Sequence, residues 1–354
     1  MRIKALKKSC ETRQLDAYLI TDLKNIYYFT GFLDIAGAAL RLLVPRDGSA
    51  TLFVPPLSYE AARATAGNCL VEAVPKGVKP VTHLCRELTA RHLDVVGFDD
   101  LPLAQYLQLT ADGTSSSIRH WPRLVADLRR VKDAQEVELM KQAAALTDAG
   151  ARAGMEWVRA GVREYEVAAE IEYAMRRRGS EGAAFETVVA SGPRSAHPHG
   201  VASDRVIMRG DAVVLDLGAV YRGYRSDITR TVFVGEPSPQ QAAVLQVVME
   251  AHDDAFHAMR GGVEARVVDE RARRIFAAKG LDQYFIHGLG HGVGLDIHEA
   301  PTLSPDSVDV LAAGNVVTDE PGLYLPGFGV RIEDTVLIHA ESGEKLTRTE
   351  YVTG

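Results

Sequence analysis

The chain has 354 residues, 46% hydrophobic and 25% charged, with a formal net charge of -7 and a pI near 5.9. That balance is ordinary for a globular protein and offers no basic stripe for a phosphate backbone, so peptides or small molecules are better partners than nucleic acid. No run reaches the roughly 18 apolar residues of a membrane span, the basic start MRIKALKKSCETRQLD lacks an export core, and Cys10, Cys69 and Cys85 show no CxxC spacing, which reads as reduced thiols in a cytoplasmic protein.

Two domains are the natural expectation at this length. From the amino end, AYLIT, ALRLLVP and ATLFVP read as strands, LSYEAARATAG as a helix, LVEAVP as a strand, VTHLCRELTARHL as a helix and DVVGFD as a strand. This alternation predicts an α/β domain of about 120 residues, ending around Trp121 to Val125. Asp133 then serves as a helix N-cap with Glu136 three residues on. Further helices are predicted near 134–160, 163–178, 238–260 and 264–279, between strand runs carrying turn signals, which makes the class α+β.

Two stretches pair carboxylates. In VVLDLGAVYRGYRSDITRTVFV, a two-residue turn at Arg222 and Gly223 sets Tyr221 against Tyr224 and Asp216 against Thr229. Asp216 and Asp227 become diagonal neighbours on one face, where they repel unless a cation lies between them. The apolar surroundings of Asp216 make a solvated surface acid the poorer explanation. In TDEPGLYLPGFGVRIEDTVLI, a turn through Pro326 to Gly329 pairs Leu325 with Val330, sets Glu333 opposite Gly322 and makes Glu320 its diagonal neighbour. Asp334 reads as an ordinary acid in a local ion pair with Arg331.

HGLGHGVGLDIHE carries His287, His291 and His298. Alternating glycines argue against a helix and for a strand, in which His287 and His291 share a face and His298 takes the other unless a glycine bulge shifts the register. Four carboxylates and one imidazole suffice for two divalent ions, with Mn2+, Co2+ or Zn2+ favoured over copper. Such a pair suits hydrolysis.

With these residues in view, the chain resembles the pita-bread metallopeptidase family in its Xaa-Pro peptidase branch of aminopeptidase P and prolidase. LDAYLITDLKNIYYFTGF, LVADLRRVKDAQEVELMKQAA, ASGPRSAHPHG, DLGAVYRGYRSDITRT, GHGVGLDIHE, DEPGLY and VRIED match the branch in order. The resemblance implies an α/β creatinase-like amino-terminal domain over 1–123, a pita-bread catalytic domain over 124–354, and a homodimer. It implies two divalent ions, Mn2+ first, held by Asp216, Asp227, His291, Glu320 and Glu333, with Asp227 and Glu333 bridging. Glu320 would double as general base. His199 and His298 would bind the substrate carbonyl and stabilise the oxyanion, His287 would stand beside substrate or ligands, and Arg331 would orient Glu333 or Asp227. His197 reads as a surface residue, and Tyr224 and Tyr324 as packing.

The substrate implied is a peptide with proline in second position, whose scissile amide has no N–H. Between Glu299 and Glu320 there is no Arg or Lys. That absence favours an Xaa-Pro aminopeptidase acting on longer peptides over an Xaa-Pro dipeptidase, which needs a partner for the proline carboxylate. A methionine aminopeptidase is disfavoured by the amino-terminal domain, and a non-enzymatic pita-bread binding module by the intact acid cluster.

Overall fold

The computed structural model describes residues 2–34, 39–111 and 117–351, and all elements, pairings and contacts are among those residues. The chain divides into two units, Met1–Arg129 and Arg130–Gly354. In the first, strands β1 (Ala17–Ile20), β2 (Arg41–Pro45), β3 (Thr51–Val54), β4 (Leu70–Ala73), β5 (Val95–Phe98) and β6 (Ser117–His120) form one sheet in the order β4-β3-β2-β1-β5-β6. β1, β2 and β3 are buried at every residue, which is why they read as unbroken apolar runs rather than alternating ones. Its helices are α1 (Arg2–Thr12), α2 (Leu23–Thr30), α3 (Tyr59–Thr65), α4 (Pro80–Ala90) and α5 (Leu103–Ala111). The sequence shows no sign of α1, because that helix buries only Leu6 and Cys10. The division falls later than the expected 123/124. Helix α6 (Arg123–Arg130) stays with the first unit up to Arg129, whose Nη1 donates to Asn25 Oδ1 of α2 at 2.8 Å.

The second unit is built from two similar layers. In one, α7 (Ala134–Trp157) and α8 (Glu164–Arg177) cover β7 (Val188–Ser191) and β8 (Ala212–Leu217); the hairpin tip β9 (Val220–Tyr221) and β10 (Tyr224–Arg225) leads to β11 (Ile228–Phe233), and the sheet order is β11-β8-β7. Ile171, Met175, Leu215, Leu217 and Ile228 fill the space between. In the other, α9 (Pro239–Ala258) and α10 (Ala265–Ala278) cover β12 (Gly290–Gly292), β13 (Glu299–Leu303), β14 (Val316–Asp319), the hairpin β15 (Gly322–Leu325) and β16 (Phe328–Arg331), then β17 (Asp334–Ile338) and β18 (Gly343–Lys345). Their shared core includes Val248, Phe276, Leu323, Val330 and Val336. The N-cap of α7 is as expected: Asp133 Oδ1 accepts from Gln135 and Glu136 N–H at 3.0 and 2.9 Å, and Glu136 Oε2 accepts from Asp133 N–H at 3.0 Å.

Each layer delivers one acidic hairpin. In the first, Tyr221 faces Tyr224, Leu217 faces Ile228 and Asp216 faces Thr229, with Arg222 and Gly223 at φ 46 and 77 as a two-residue hairpin turn requires. The second hairpin departs from expectation. Its turn is Pro326-Gly327, with Gly327 at φ 97, so Leu325 pairs with Phe328 and Gly322 with Arg331. Proline followed by a left-handed glycine closes the chain in two residues, and the register moves by two. Because the side-chain period is also two, the acids keep their face. β14 and β17 continue the same register with Asp319 opposite Asp334, so Glu320 and Glu333 stand opposite each other rather than diagonally.

Candidate active site

Asp216, Asp227, His291, Glu320 and Glu333 all line one cavity of about 640 Å³, together with His199, His287, His298 and Arg331. The size suits a small peptide. The two halves meet at an isolated bridge between Thr229 and Glu333, and the Thr231 hydroxyl and the Arg331 backbone exchange hydrogen bonds of 2.9 and 3.1 Å. That seam brings β11 and the β16–β17 junction together, and with them the two acid pairs.

The histidine segment enters as β12, hydrogen-bonded between β13 and β14. At Gly290 a Cβ would lie 2.2 Å from Thr318 O, so only glycine lets the two backbones approach this closely. The β12–β13 ladder shifts register between His291 and Gly292. The chain reverses between β12 and β13, which returns His298 to the same cavity as His287 and His291, and the His291 and His298 rings pack at 4.3 Å. His291 Nδ1 lies 3.1 Å from Gly292 O, which leaves Nε2 facing the acids, 3.3 Å from Glu320 Oε1 and 3.9 Å from Asp227 Oδ2.

Ligand atoms of Asp227, His291 and Glu333 lie within 4.8 Å of one another. Oδ1 of Asp216 and Oδ1 of Asp227 are buried without a hydrogen-bond partner among the described residues. Burial, then the charges of Asp216 and Glu320, push Asp227 well above the usual carboxylate range. Burial followed by Asp227 and Glu320 does the same to Glu333, and burial raises Glu320. Burial also lowers His287, His291 and His298, which favours the neutral imidazole in each. An excess of buried acceptors with too few donors is the chemistry of a cation site, and these residues fit divalent metal.

Several placements differ from expectation. Arg331 Nη2 donates to Asp216 Oδ2, not to Glu333 or Asp227. It reaches Glu333 through Thr229, whose Oγ1 accepts from Arg331 Nε at 3.0 Å and donates to Glu333 Oε2 at 2.6 Å. Arg331 Nη1 donates to Tyr324 OH at 2.7 Å and to Pro198 O, next to His199, at 3.2 Å. Tyr324 OH also lies 2.9 Å from His287 Nε2, so this tyrosine ties two cavity residues together beyond simple packing. Tyr224 is core, its hydroxyl donating to Glu136 Oε1 at 2.8 Å. His197 is exposed.

Asp334 is buried and has no ion pair with Arg331. It accepts from Arg230 Nη2, Tyr351 OH and Thr347 Oγ1 at 2.8, 2.7 and 2.9 Å, and His252 Nε2 of α9 lies 3.4 Å from it. Burial opposes its charge, but His252 and Arg230 hold it well below the usual carboxylate range. The sequence reading missed Thr229, whose place opposite Asp216 was the available signal, and His252, which sits in an ordinary amphipathic helix.

Residues 138–340 match the model of metallopeptidase family M24, and residues 2–131 match the Creatinase/Prolidase N-terminal domain. The chain therefore belongs to metallopeptidase family M24, with the expected α+β fold of a creatinase-type amino-terminal domain and a pita-bread domain. It is 40% identical over 99% of its length to the Xaa-Pro dipeptidase of Pyrococcus furiosus, covering 98% of that protein. Among solved structures it resembles the prolidase from Pyrococcus horikoshii, with TM-score 0.94, 38% identity and coverage of 100% and 99% of the two chains. It also resembles the X-Pro aminopeptidase from Thermotoga maritima, with TM-score 0.89, 34% identity and coverage of 98% and 99%.

Proposed function

We propose that the chain is an Xaa-Pro dipeptidase, a prolidase, using two divalent ions, Mn2+ first, held by Asp216, Asp227, His291, Glu320 and Glu333. One observation carries the reading: these five residues converge in one cavity of a chain 40% identical, over 99% of its length, to an Xaa-Pro dipeptidase. The earlier preference for longer peptides gives way, because both the curated relative and the Pyrococcus horikoshii structure carry dipeptidase or prolidase names. A cytoplasmic homodimer is part of the proposal. Three unpaired cysteines accord with that compartment, and no described helix is long and apolar enough to cross a membrane.

Bound divalent ions would supply a water of lowered pKa and Lewis-acid polarisation of the scissile carbonyl. The chain's residues do the rest. Glu320 takes a proton from the attacking water and passes it to the leaving proline nitrogen. His199 and His298, both lining the cavity, donate to the carbonyl oxygen as it gains charge. Arg331 holds Asp216 and Tyr324, and through Tyr324 and the Pro198 carbonyl it keeps His287 and the approach to His199 in place. Thr302 and Ser304 line the same cavity, and their hydroxyls, with imidazole N–H groups, are donors for the proline carboxylate.

A second reading, aminopeptidase action on longer peptides, draws on one observation: Arg331 is the cation lining this cavity among the described residues, and it is engaged with Asp216 and Tyr324. Comparing kcat/KM for Met-Pro and Met-Pro-Ala with Mn2+ supplied separates the two. The dipeptide is expected to be the better substrate. Cleavage of Met-Pro-Ala with Met-Pro left intact would establish the aminopeptidase instead.

A further inference from the structure

Lys132 is buried, its side chain 1% exposed, and its Nζ donates to Glu299 Oε1 at 2.7 Å. The backbone around it is fastened to the same region of the second unit. Lys132 N–H donates to Gly314 O at 2.8 Å, and Arg130 O accepts from Asn315 Nδ2 at 3.0 Å. Arg130 forms an ion pair with Asp309 at 2.7 Å. The ammonium therefore sits on a rigid base, and a buried ammonium holds tightly to a carboxylate because separating them strands a charge.

Glu299 is well placed to use that grip. It opens β13 opposite Gly292, where the register shifts after His291. Its carboxylate lies beneath the intervening loop, so close to Gly294 that a Cβ there would be 2.6 Å from Oε1. His298 is the preceding residue. Its ring makes no hydrogen bond among the described residues and touches the ring of His291. The position of the His298 ring thus comes from its backbone, and that backbone is anchored by Glu299.

We propose that Lys132 is a positioning residue for the reaction: through Glu299 it sets where the His298 imidazole meets the substrate carbonyl. This rests on the proposed role of His298. An imidazole that is misplaced by about 1 Å loses on the order of 100-fold in rate while leaving ground-state binding largely intact.

The test is a cycle of Lys132→Met, Lys132→Arg, His298→Ala and Lys132→Met/His298→Ala, with metal content, melting temperature, kcat and KM measured on an Xaa-Pro dipeptide. Lys132→Met is expected to keep wild-type metal content, lose about 10- to 100-fold in kcat and change KM less than about threefold, with Lys132→Arg recovering most of the loss. In the His298→Ala background, Lys132→Met should cost less than about twofold further, since two residues acting through one contact are not additive. Full loss in both backgrounds, or metal content falling in step with kcat, overturns the proposal. If Lys132→Met fails to fold, Glu299→Gln takes its place in the same cycle and is read by the same criteria. NMR of the His298 imidazole in the metal-free chain gives a readout independent of substrate. The resonance should shift in Lys132→Met and return in Lys132→Arg, and an unmoved resonance overturns the proposal. A wild-type chain inactive on every Xaa-Pro peptide would overturn the proposed function alone.

Discussion

Asp227 is buried with Oδ1 unpartnered among the described residues, and Asp216 and Glu320 both raise the cost of its charge. Asp227→Asn keeps the size of the side chain and removes that charge. Metal analysis is therefore expected to find fewer than two ions per chain and activity lost. The metal-free variant should melt at or above the metal-free wild type, because a like-charge repulsion has been relieved. Two ions retained with full activity would remove Asp227 from the ligand set. Arg331 shows how far an expectation drawn from neighbours in the chain reaches. Asp334 is three residues from it, yet its partner is Asp216, 115 residues away. Adjacent strand residues point to opposite faces, and the long guanidinium followed its own face across the seam.

At the scale of elements, register governs the site. Hairpin turns set it locally, as Arg222-Gly223 does for Asp216 opposite Thr229 and Pro326-Gly327 does for Gly322 opposite Arg331. β12 has no such turn and depends on close approach to β14. Gly290→Ala places a Cβ 2.2 Å from Thr318 O, so the strand must move away from β14 and carry His291 with it. The variant is expected to fold with a melting temperature lower by several degrees, roughly 1–3 kcal/mol, and with activity reduced more than about tenfold through lost metal. Metal titration followed by calorimetry would show the weakened binding, and unchanged affinity would mean that β12 tolerates the shift. The first hairpin was legible because an Arg-Gly turn admits one short loop. The second was misread because four residues between the strands looked as acceptable as two.

For the molecule as a whole, the network behind the cavity links α9 to β14 and β17. Burial disfavours the His252 imidazolium, but Asp319, Asp253 and Asp334 outweigh it and raise its pKa to about 9. Asp319, with neither carboxylate oxygen hydrogen-bonded among the described residues, is pushed up by burial to about 7. A raised histidine binds more protons folded than unfolded, so its stabilisation is complete below about 6.5 and is lost as pH rises through about 9. Asp319 acts in the same direction at lower pH, since its folded form also holds the proton longer. Denaturant unfolding of the metal-free chain is expected to weaken from pH 6 to pH 10, with about 3 kcal/mol of the loss coming from His252. His252→Gln should flatten the part above about pH 6.5. An identical slope in the variant would assign the pH dependence elsewhere.

The features legible along the chain follow from interactions that close within a few residues. The capping box of Asp133 and Glu136, the helices of both layers, the first hairpin and the glycine-rich approach of His291 rest on turn chemistry, caps and periodicity. The same information carried the family resemblance and with it the candidate ligand set. Tertiary structure decided the rest. Glu333 meets Thr229 across 104 residues, Asp334 is buried beneath Arg230 and His252, His298 comes back beside His291 where the chain reverses between β12 and β13, and Lys132 reaches Glu299 across 167 residues. Each of these depends on two layers that fold locally and then meet along one seam. Burial at that seam, absent from any single segment, makes the charges costly and selects their partners.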